Sequence, residues 1–466
     1  MIRDGRFPRL LVIAPLLALT VFVLSIFNPF YVTSRPALSA YAPHPNTNAQ
    51  QSSDSDLQPN LSTPSAIRYS TSTTLPTTLL SSATTFPDIE STAVPSVWSF
   101  DPSRDARNYG LGEEQCHIAF EPLFAELDRA KQHRKSLGNI TQDDIDMSWV
   151  KEGAIRAMIY DRQIHILESK LTDSDHHRIR ALAILNAINR AITATQEAIP
   201  NIEFSFSISD DADPGQEHRT IWALSHRTDE EEKWVMSDFG YWSWPLDMLG
   251  EYSQVRSNIR EKEPGWESKI PKLVWRGAAG TNKLRKTMLK VVKGKAWADV
   301  REVLWKSATV LKKESEGAAL SMAQHCGYQF VLQTEGRSYS GRGKYLQNCH
   351  SVFIAHEREW VEPQHTLLVA SGPDQNFVEV KRDFSDLETK IEALIQNPDS
   401  AKRIADNSVK VFRDRYLTPA AQACYWRRLI RNWASVSFEP KKWETIAGTD
   451  GKQIRKTRGV PYESFM

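Results

Sequence analysis

Hydrophobic and polar positions divide this chain of 466 residues into three unlike parts. The first contains an uncharged apolar run over residues 10–27, which follows three arginines and fades out by residue 32. A helix of about 20 apolar residues spans a bilayer, and positive charge before it keeps the N-terminus in the cytosol. We therefore predict a cytosolic tail at 1–9 and a signal anchor at 10–32. The alternative is a cleaved signal peptide, although the apolar region of such peptides is shorter, at about 7–15 residues.

The second part is rich in Ser, Thr and Pro. Such a composition buries too little apolar surface to offset chain entropy, so we expect a disordered stem over residues 33–115 that is suited to O-glycosylation. Asn60 and Asn139 each begin an N-glycosylation sequon. A short tail, one anchor, a stem and a large C-terminal domain are typical of Golgi enzymes, and the C-terminus carries no ER-retention signal. We therefore expect a single-pass type II Golgi protein whose large domain is lumenal.

The third part alternates predicted strands and helices. Residues 202–209 alternate apolar and polar strictly, which predicts a strand with one buried face. Short apolar strands at 272–275, 328–333, 351–355 and 377–380 follow, separated by helical stretches. This rhythm favours a doubly wound α/β domain, in which ligands bind at the carboxyl ends of the strands.

Composition and cysteine placement add further constraints. The chain has 58 Lys and Arg against 57 Asp and Glu, a net charge of +1, which argues against a nucleic-acid partner. All 14 tryptophans lie at or beyond Trp98 and all four cysteines at or beyond Cys116, so one globule of even composition is excluded. Four cysteines allow three pairings. Cys326 and Cys349 each directly precede a strand of the same βαβ unit, so their backbones can be neighbours.

Two loops at predicted strand ends combine glycines with positive charge. Residues 276–281 begin with Arg276 and Gly277, and residues 335–344 hold three glycines, three cations and two serines. Glycines let the backbone approach a ligand, and each charge-assisted hydrogen bond to a phosphate is worth roughly 1.5–3 kcal/mol. Neither loop is a Walker A or Gly-x-Gly-x-x-Gly motif. Together they indicate a nucleotide-diphosphate site, and the alternative for each is an ordinary Gly-rich turn.

Asp210 ends the alternating strand. Its parity matches the apolar positions, so we expect its side chain on the buried side, where a carboxylate at a cleft edge can act as a general base. A turn-forming or helix-capping aspartate is the alternative. Asp211 and Asp213 also form an Asp-x-Asp pattern, which can bind a metal–nucleotide complex but is short and common.

The segment 238–245 is dense in aromatic residues. Aromatic faces suit sugar rings, and an exposed aromatic cluster needs such a use. Asp238, Tyr241, Trp242 and Trp244 are therefore candidates for contact with a sugar or an acceptor. The alternative is a hydrophobic core segment with a turn at its glycine.

Five segments in a fixed order carry a family resemblance. They are Asp238-Phe239-Gly240-Tyr241-Trp242-Ser243-Trp244-Pro245, Val274-Trp275-Arg276-Gly277, His325-Cys326-Gly327-Tyr328-Gln329-Phe330, Glu335 to Lys344, and Ala423-Cys424-Tyr425-Trp426. Together they resemble glycosyltransferase family 90, the capsule-associated and protein O-glucosyltransferase-like group, over about residues 116–436. The resemblance implies a GT-B-like α/β fold, with two Rossmann-type doubly wound domains facing a cleft. It also implies a lumenal enzyme that uses a UDP-sugar without a metal or other cofactor and inverts the anomeric centre.

The resemblance also implies roles for single residues. Asp210 matches the family's catalytic aspartate, with Asp211 as the alternative one position later. The other matches are donor-site residues and disulfides: Arg276 and Gly277 near the diphosphate, Gly336, Ser340, Arg342 and Lys344 in the donor loop, and the pairs Cys326–Cys349 and Cys116–Cys424. Gly341 and Gly343 stand where protein O-glucosyltransferases carry bulky aromatic residues, so the resemblance does not fix the donor sugar.

These expectations define one hypothesis about function. The lumenal domain at 116–440 would have an acceptor-side half at about 116–265, a donor-side half at about 266–420 and a C-terminal helix crossing back, followed by a solvated basic tail at 441–466. It would move xylose or glucose from a UDP-sugar to a hydroxyl of a glycan or glycoprotein. The alternative is a non-catalytic protein of the same fold that binds glycans or nucleotide sugars.

Overall fold

The computed structural model describes residues 98–172, 175–210, 220–244, 249–303, 319–449 and 451–465, all within one compact unit. The predicted anchor and the stem as far as residue 97 lie outside this part of the chain. So do Asn60, Asp211, Asp213 and the side chain of Trp244. In the described residues no helix is long and apolar enough to cross a membrane.

Helices and strands alternate along the described residues. The helices are α1 (Pro102–Asp105), α2 (Glu113–Phe120), α3 (Ala125–Leu137), α4 (Asp175–Thr193), α5 (Tyr252–Lys262), α6 (Lys283–Val292), α7 (Met322–His325), α8 (Gly343–Leu346), α9 (Leu387–Gln396), α10 (Pro398–Ser408) and α11 (Pro419–Ala434), with a π-helical turn at Val409–Tyr416. The strands are β1 (Ala154–Tyr160), β2 (Gln163–Ser169), β3 (Ile202–Ser207), β4 (Trp222–Ala223), β5 (His226–Arg227), β6 (Trp234–Val235), β7 (Ser243–Trp244), β8 (Gly250–Glu251), β9 (Ile270–Gly277), β10 (Ala298–Glu302), β11 (Tyr328–Gln333), β12 (Val352–His356), β13 (Trp360–Val361), β14 (Val378–Val380), β15 (Trp443–Ala447), β16 (Gln453–Thr457) and β17 (Val460–Pro461).

The first sheet has the strand order β17-β2-β1-β3-β4-β6. The pairs from β17 to β3 are antiparallel, whereas β3, β4 and β6 run parallel. A Rossmann-type doubly wound domain therefore does not describe this half of the molecule. The β1–β2 hairpin and a strand from the C-terminus extend the sheet without βαβ crossovers.

Strand β3 is buried on both faces, not on one face as its alternation predicts. Phe204 and Phe206 are fully buried, and Glu203 and Ser205 between them are only 0% and 1% exposed. The Glu203 carboxylate lies 2.6 Å from Arg156 of β1 and 2.8 Å from Arg458. A charge is tolerated in a protein interior when it is paired. The polar positions of this strand therefore mark a buried ion pair instead of a solvated face.

The second sheet is parallel throughout and has the order β10-β9-β11-β12-β14. In chain order this is 2-1-3-4-5, which is a doubly wound arrangement. The order reverses between β9 and β11, and doubly wound sheets bind ligands in the crevice at the carboxyl ends of strands at such a point. The two glycine-rich loops of the sequence are the loops that follow these strands.

Helix α11, near the C-terminal end of the domain, packs against α2 near its N-terminal end. It starts at Pro419, and the hydroxyl of Thr418 caps it by accepting a hydrogen bond from Ala421 N. The Cys116–Cys424 disulfide joins α11 to α2, and the Cys326–Cys349 disulfide joins the residues before β11 and β12. Both pairings that the resemblance implies are confirmed.

The ordered region begins before residue 116, so the predicted stem boundary is too late. Phe100 packs edge-on against Phe120, with 5.0 Å between the ring centroids. Leu111 is buried, and its main-chain oxygen accepts a hydrogen bond of 2.7 Å from Arg427. These contacts form because aromatic and apolar residues ahead of Cys116 complete the core. Asn139 lies in an exposed turn after α3, and its glycosylation stays a prediction.

The described residues of the tail at 441–466 are mostly exposed, as expected, but they form strands, which was not predicted. Strands β15 and β16 form a hairpin, and β17 pairs with β2 at the edge of the first sheet. Arg458, between β16 and β17, binds the buried Glu203 carboxylate. This ion pair and the β17–β2 pairing attach the tail to the first sheet.

Candidate active site

The two glycine-rich loops meet at the switch point of the second sheet. Gly277 ends β9, and a Cβ atom added there would lie 2.8 Å from Nη2 of Arg342 and 2.8 Å from the indole of Trp275. Gly336, after β11, approaches the main-chain oxygen of Tyr339, which would lie 2.9 Å from an added Cβ. Because a side chain would clash at either position, glycine allows the loop after β11 to lie across the end of β9.

Two guanidinium groups lie at this crevice without a carboxylate counter-ion among the described residues. Arg285 of α6 donates to the main-chain oxygens of Glu335 and Ala278 at 3.0 and 3.2 Å. Arg342 lies 5.5 Å from the Trp275 ring centre, and its buried Nη1 has no hydrogen-bond partner in the described part. Burial lowers the pKa of Arg285 to about 10, and burial with the charge of Arg285 lowers the pKa of Arg342 to about 9. An anion bound here would relieve the uncompensated charge.

Arg276 is paired with a carboxylate inside the sheet. Its Nη2 lies 3.0 Å from both carboxylate oxygens of Asp299 on β10, and the Tyr328 hydroxyl donates to the same carboxylate. Arg276 is only 6% exposed, and its contact with the donor diphosphate stays a prediction. Arg285 also lies at the crevice, and the sequence analysis missed it. The available signal was a cation in the first turn of a helix, where the helix dipole disfavours it.

Lys344 and Asp238 form a buried ion pair, with 3.1 Å between Nζ and Oδ1. The Tyr339 hydroxyl donates to Oδ2 of Asp238 at 2.6 Å. Lys344 is 0% and Asp238 4% exposed, and a Cβ atom on Gly240 would lie 2.8 Å from Nζ. Both side chains are buried and paired with each other, and their contacts with a diphosphate and a sugar stay predictions. Their pair fastens the donor loop to residues 238–241.

Asp210 follows β3, and its carboxylate is held by Arg180 of α4. Nη1 lies 3.0 Å from Oδ1, and Nη2 lies 3.3 Å from Oδ2. The side chain of Asp210 is 46% exposed, and strand parity misplaces it because the strand already ends at Ser207. The main-chain oxygen of Asp210 accepts a hydrogen bond from the hydroxyl of Ser338. The structure therefore brings the candidate base and the donor loop together.

Tyr241 and Trp242 lie in different surroundings. The Lys344 Nζ atom of the donor loop lies 5.3 Å from the ring centre of Tyr241. The Arg190 guanidinium lies over Trp242, 3.6 Å from the ring centre. Arg190 is ten residues beyond Arg180 on the same helix, which separates them by about 15 Å along the helix axis. Trp242 is therefore not beside Asp210, and contact of these aromatic residues with a sugar stays a prediction.

The remaining donor-loop residues shape its backbone. The main-chain oxygen of Ser340 accepts hydrogen bonds from Gln333 Nε2 at 2.7 Å and from Gly343 N at 3.1 Å. A Cβ atom on Gly343 would lie 3.0 Å from Gln333 Nε2, so an aromatic side chain at 343 requires Gln333 to move. At the start of the loop, the buried Glu335 carboxylate lies 2.8 Å from Arg382. The loop is therefore held at both ends.

The titratable side chains of the described residues bear on whether the site could hold a metal ion. Their His, Cys, Asp and Glu side chains form no group of three or more that could hold an ion. Asp211 and Asp213 lie outside that part of the chain. Metal independence therefore stays a prediction.

The sequence of this chain matches a known protein family. A family model described as glycosyl transferase family 90 matches residues 114–452, well over half of the chain. The chain belongs to glycosyltransferase family 90. For this family 90 member, the match includes Asp210, Arg285 and Arg342, the crevice of the second sheet and both disulfides.

Several curated relatives of this family 90 chain are named as O-glucosyltransferases. It is 25% identical over 242 residues to an O-glucosyltransferase rumi homolog of Aedes aegypti, covering 49% of this chain and 59% of the relative. It is 24% identical over 216 residues to Protein O-glucosyltransferase 1 of Rattus norvegicus, covering 43% and 52%. Protein O-glucosyltransferase 3 of the same species is 29% identical over 107 residues, covering 23% and 20%. The chain spans about half the length of the first two relatives.

Proposed function

We propose that this protein is an inverting glycosyltransferase that moves a sugar from a UDP-sugar to a hydroxyl of a glycan or glycoprotein. One observation carries the proposal. Arg285 and Arg342, without carboxylate counter-ions in the described part, lie at the switch point whose donor loop contacts Asp210. A nucleoside diphosphate supplies the missing negative charge, and membership of family 90 supports the reaction class.

The donor diphosphate binds to the two arginines in this proposal. Each charge-assisted hydrogen bond contributes roughly 1.5–3 kcal/mol. The glycines at 277 and 336 let the main chain approach the phosphates. Helix α6 begins beside the crevice, because Asn282, its N-cap, donates to the main-chain oxygen of Gly336 at 2.6 Å. The first N–H groups of the helix and the arginines together stabilise the charge that develops on the leaving diphosphate.

Asp210 acts as the general base. Its carboxylate accepts the proton of the acceptor hydroxyl while that oxygen forms a bond to the anomeric carbon. The bond from the anomeric carbon to the diphosphate oxygen breaks, and its electron pair leaves with UDP. Attack from the side opposite the diphosphate inverts the anomeric centre. A positioned general base typically accelerates such a step by about 10²–10⁴-fold.

The names of the relatives support a protein hydroxyl as the acceptor and glucose as the donor sugar. Xylose is the second candidate, from the family resemblance alone. We further propose that the domain is lumenal and is held in the Golgi membrane by residues 10–32. The two disulfides support an oxidising compartment. UDP-sugar is a substrate in this scheme, and no cofactor is required.

UDP release by the purified chain from a panel of UDP-sugars tests the reaction. We expect turnover with UDP-glucose or UDP-xylose, and a decrease of about 10²–10⁴-fold in D210N. Near wild-type turnover in D210N contradicts the base assignment. Activity that EDTA abolishes and manganese restores favours a metal site at Asp211 and Asp213.

Calorimetric titration with UDP tests the donor site separately. R285Q and R342Q should weaken binding, whereas R337Q, which alters an exposed arginine of the same loop, is the matched control. The absence of UDP binding at millimolar concentration contradicts the transferase proposal. Binding of UDP-sugars without any turnover indicates a non-catalytic nucleotide-sugar-binding protein.

A further inference from the structure

We propose that Arg180 is a positioning residue for this reaction, and that it fixes the plane of the Asp210 carboxylate. The inference rests on the proposed function, because it concerns the base of the transfer step. Arg180 lies on α4, some 30 residues before Asp210, and no motif of the sequence marks it. Its importance is visible only once β3 and α4 are packed together.

The Arg180 guanidinium binds the Asp210 carboxylate in a bidentate arrangement. Nη1 donates to Oδ1 at 3.0 Å and Nη2 to Oδ2 at 3.3 Å, and Nη1 also donates to the Ile208 main-chain oxygen at 3.2 Å. Two parallel hydrogen bonds define the plane of a carboxylate, which a single ammonium does not. Each carboxylate oxygen has two acceptor sites, so one on each oxygen remains available to an acceptor hydroxyl.

The two partners differ in exposure. The Arg180 side chain is 15% exposed, whereas the Asp210 side chain is 46% exposed. The arginine therefore supports the carboxylate from the protein side and leaves its outer edge open. An ion pair with an exposed partner contributes little to stability.

The guanidinium is itself held in place. Its central carbon lies 4.6 Å from the ring centre of Phe239, a fully buried residue in the turn that Asp238 caps. Asp238 is in turn fixed by Lys344 of the donor loop. The donor loop thus reaches Asp210 by two routes: through this chain of contacts, and directly through Ser338, whose hydroxyl binds the Asp210 main-chain oxygen.

Helix α4 also offers a matched control. Arg190 lies ten residues further on and makes contacts of the same kind, stacking on Trp242 at 3.6 Å and donating to the Tyr109 hydroxyl at 2.9 Å. Both arginines sit over an aromatic ring of the segment that follows β6. Of the two, Arg180 is the one bound to the Asp210 carboxylate. If substitution of either arginine disturbs the packing of α4, variants at both positions lose activity. If Arg180 acts by orienting the Asp210 carboxylate, only the variant at Arg180 loses activity.

The experiment measures UDP release by the full chain from UDP-glucose or UDP-xylose, for wild type, R180M, R180K and R190M. Misplacing a catalytic group by about 1 Å costs up to about 10²-fold in rate. We therefore expect kcat of R180M to fall about 10- to 100-fold, with KM for the donor within about twofold of wild type. R180K keeps the positive charge but not the two parallel hydrogen bonds, so its kcat should lie between that of R180M and that of wild type. R190M should keep wild-type kcat.

Each outcome separates this inference from the proposed function. If wild type is active, D210N is inactive and R180M keeps kcat within about twofold of wild type, the proposed reaction stands and the role of Arg180 is wrong. If R180M raises donor KM as strongly as it lowers kcat, and R180K recovers nothing, Arg180 has a structural role and the inference is wrong. If wild type releases no UDP to any acceptor or to water, the proposed function fails and the inference fails with it.

Discussion

The hydroxyl of Ser338 donates a hydrogen bond to the main-chain oxygen of Asp210, which lies 128 residues earlier in the chain. Ser338 belongs to the loop that crosses the end of β9, and Asp210 follows the central strand of the first sheet. The contact therefore joins the proposed donor site to the proposed base. A donor that rearranges this loop also moves the residue that must accept the proton.

Removal of this link should slow transfer without weakening donor binding. For S338A we expect kcat to fall about two- to tenfold, which is the rate equivalent of one neutral hydrogen bond of about 0.5–1.5 kcal/mol. The Kd for UDP should change little, because neither Arg285 nor Arg342 contacts the Ser338 hydroxyl. Steady-state kinetics beside UDP titration measures both quantities. S435A is the control, since the Ser435 hydroxyl also donates to a main-chain oxygen but at the end of α11.

Arg342 should be a residue that supports binding at the expense of stability. Its buried guanidinium has no carboxylate counter-ion in the described part, and the charge of Arg285 opposes it. R342Q should therefore raise the melting temperature of the ligand-free protein and weaken UDP binding at least about tenfold, the equivalent of one charge-assisted hydrogen bond. Thermal unfolding with and without UDP measures both effects.

R276Q is the control for R342Q, because Arg276 has a carboxylate partner and Arg342 has none among the described residues. R276Q leaves the Asp299 carboxylate without its bidentate partner, so it should lower the melting temperature while UDP affinity changes less than in R342Q. If R276Q abolishes UDP binding and R342Q does not, the assignment of the two arginines must be exchanged.

UDP binding should weaken in alkaline solution. The pKa of Arg342 is lowered to about 9 by burial and by Arg285, so this guanidinium loses its proton as pH rises through about 9 and no longer attracts the diphosphate. Because this pKa is lower in the folded protein than its usual value of 12.5, the charged group destabilises the fold at neutral pH, and the penalty is relieved as pH rises above about 9. Both effects have the same cause.

Titration calorimetry at pH 7.5, 8.5 and 9.5 checks this dependence. The uracil ring also ionises in alkaline solution, so wild type is compared with R342Q at each pH. The ratio of their UDP affinities should shrink toward one as the Arg342 charge is lost. A ratio that stays constant from pH 7.5 to 9.5 shows that Arg342 keeps its proton and contradicts the lowered pKa.

The Lys344–Asp238 pair should be necessary for stability. K344M leaves a buried carboxylate with the Tyr339 hydroxyl and a main-chain N–H but with no cation from the described residues. Breaking such a pair typically costs about 3–5 kcal/mol, whereas replacing both partners costs much less. We therefore expect urea unfolding of K344M at a lower midpoint than that of the double variant D238N/K344M. Equal midpoints contradict a buried ion pair.

Local sequence signals predicted where the glycine-rich loops lie. A short apolar run followed by glycines predicts a strand and the loop after it, and the loops at 276–281 and 335–344 lie at the ends of β9 and β11. The strand before Asp210 was predicted from its alternation, although it ends at Ser207. The roles of Asp210 and Arg342 stay predictions.

Partners that come from distant parts of the chain were not predictable. Nothing in the sequence near Arg276 shows that Asp299 is its ion-pair partner. The partner of Lys344, Asp238, lies more than 100 residues earlier. Likewise, the alternation of β3 cannot reveal that Arg458 covers Glu203. Whether a charged side chain is free or paired is decided by tertiary contacts, which periodicity does not report.

The position of Arg458 and β17 near the C-terminus has a consequence for synthesis on the ribosome. The second sheet has all its strands once β14 has been made, at residue 380, whereas the first sheet waits for β17 at residues 460–461. The half of the domain that is translated first is therefore completed last. Until Arg458 emerges, Glu203 lacks one of its two cations, so a chain released early carries a first sheet with an open edge and a poorly matched buried charge.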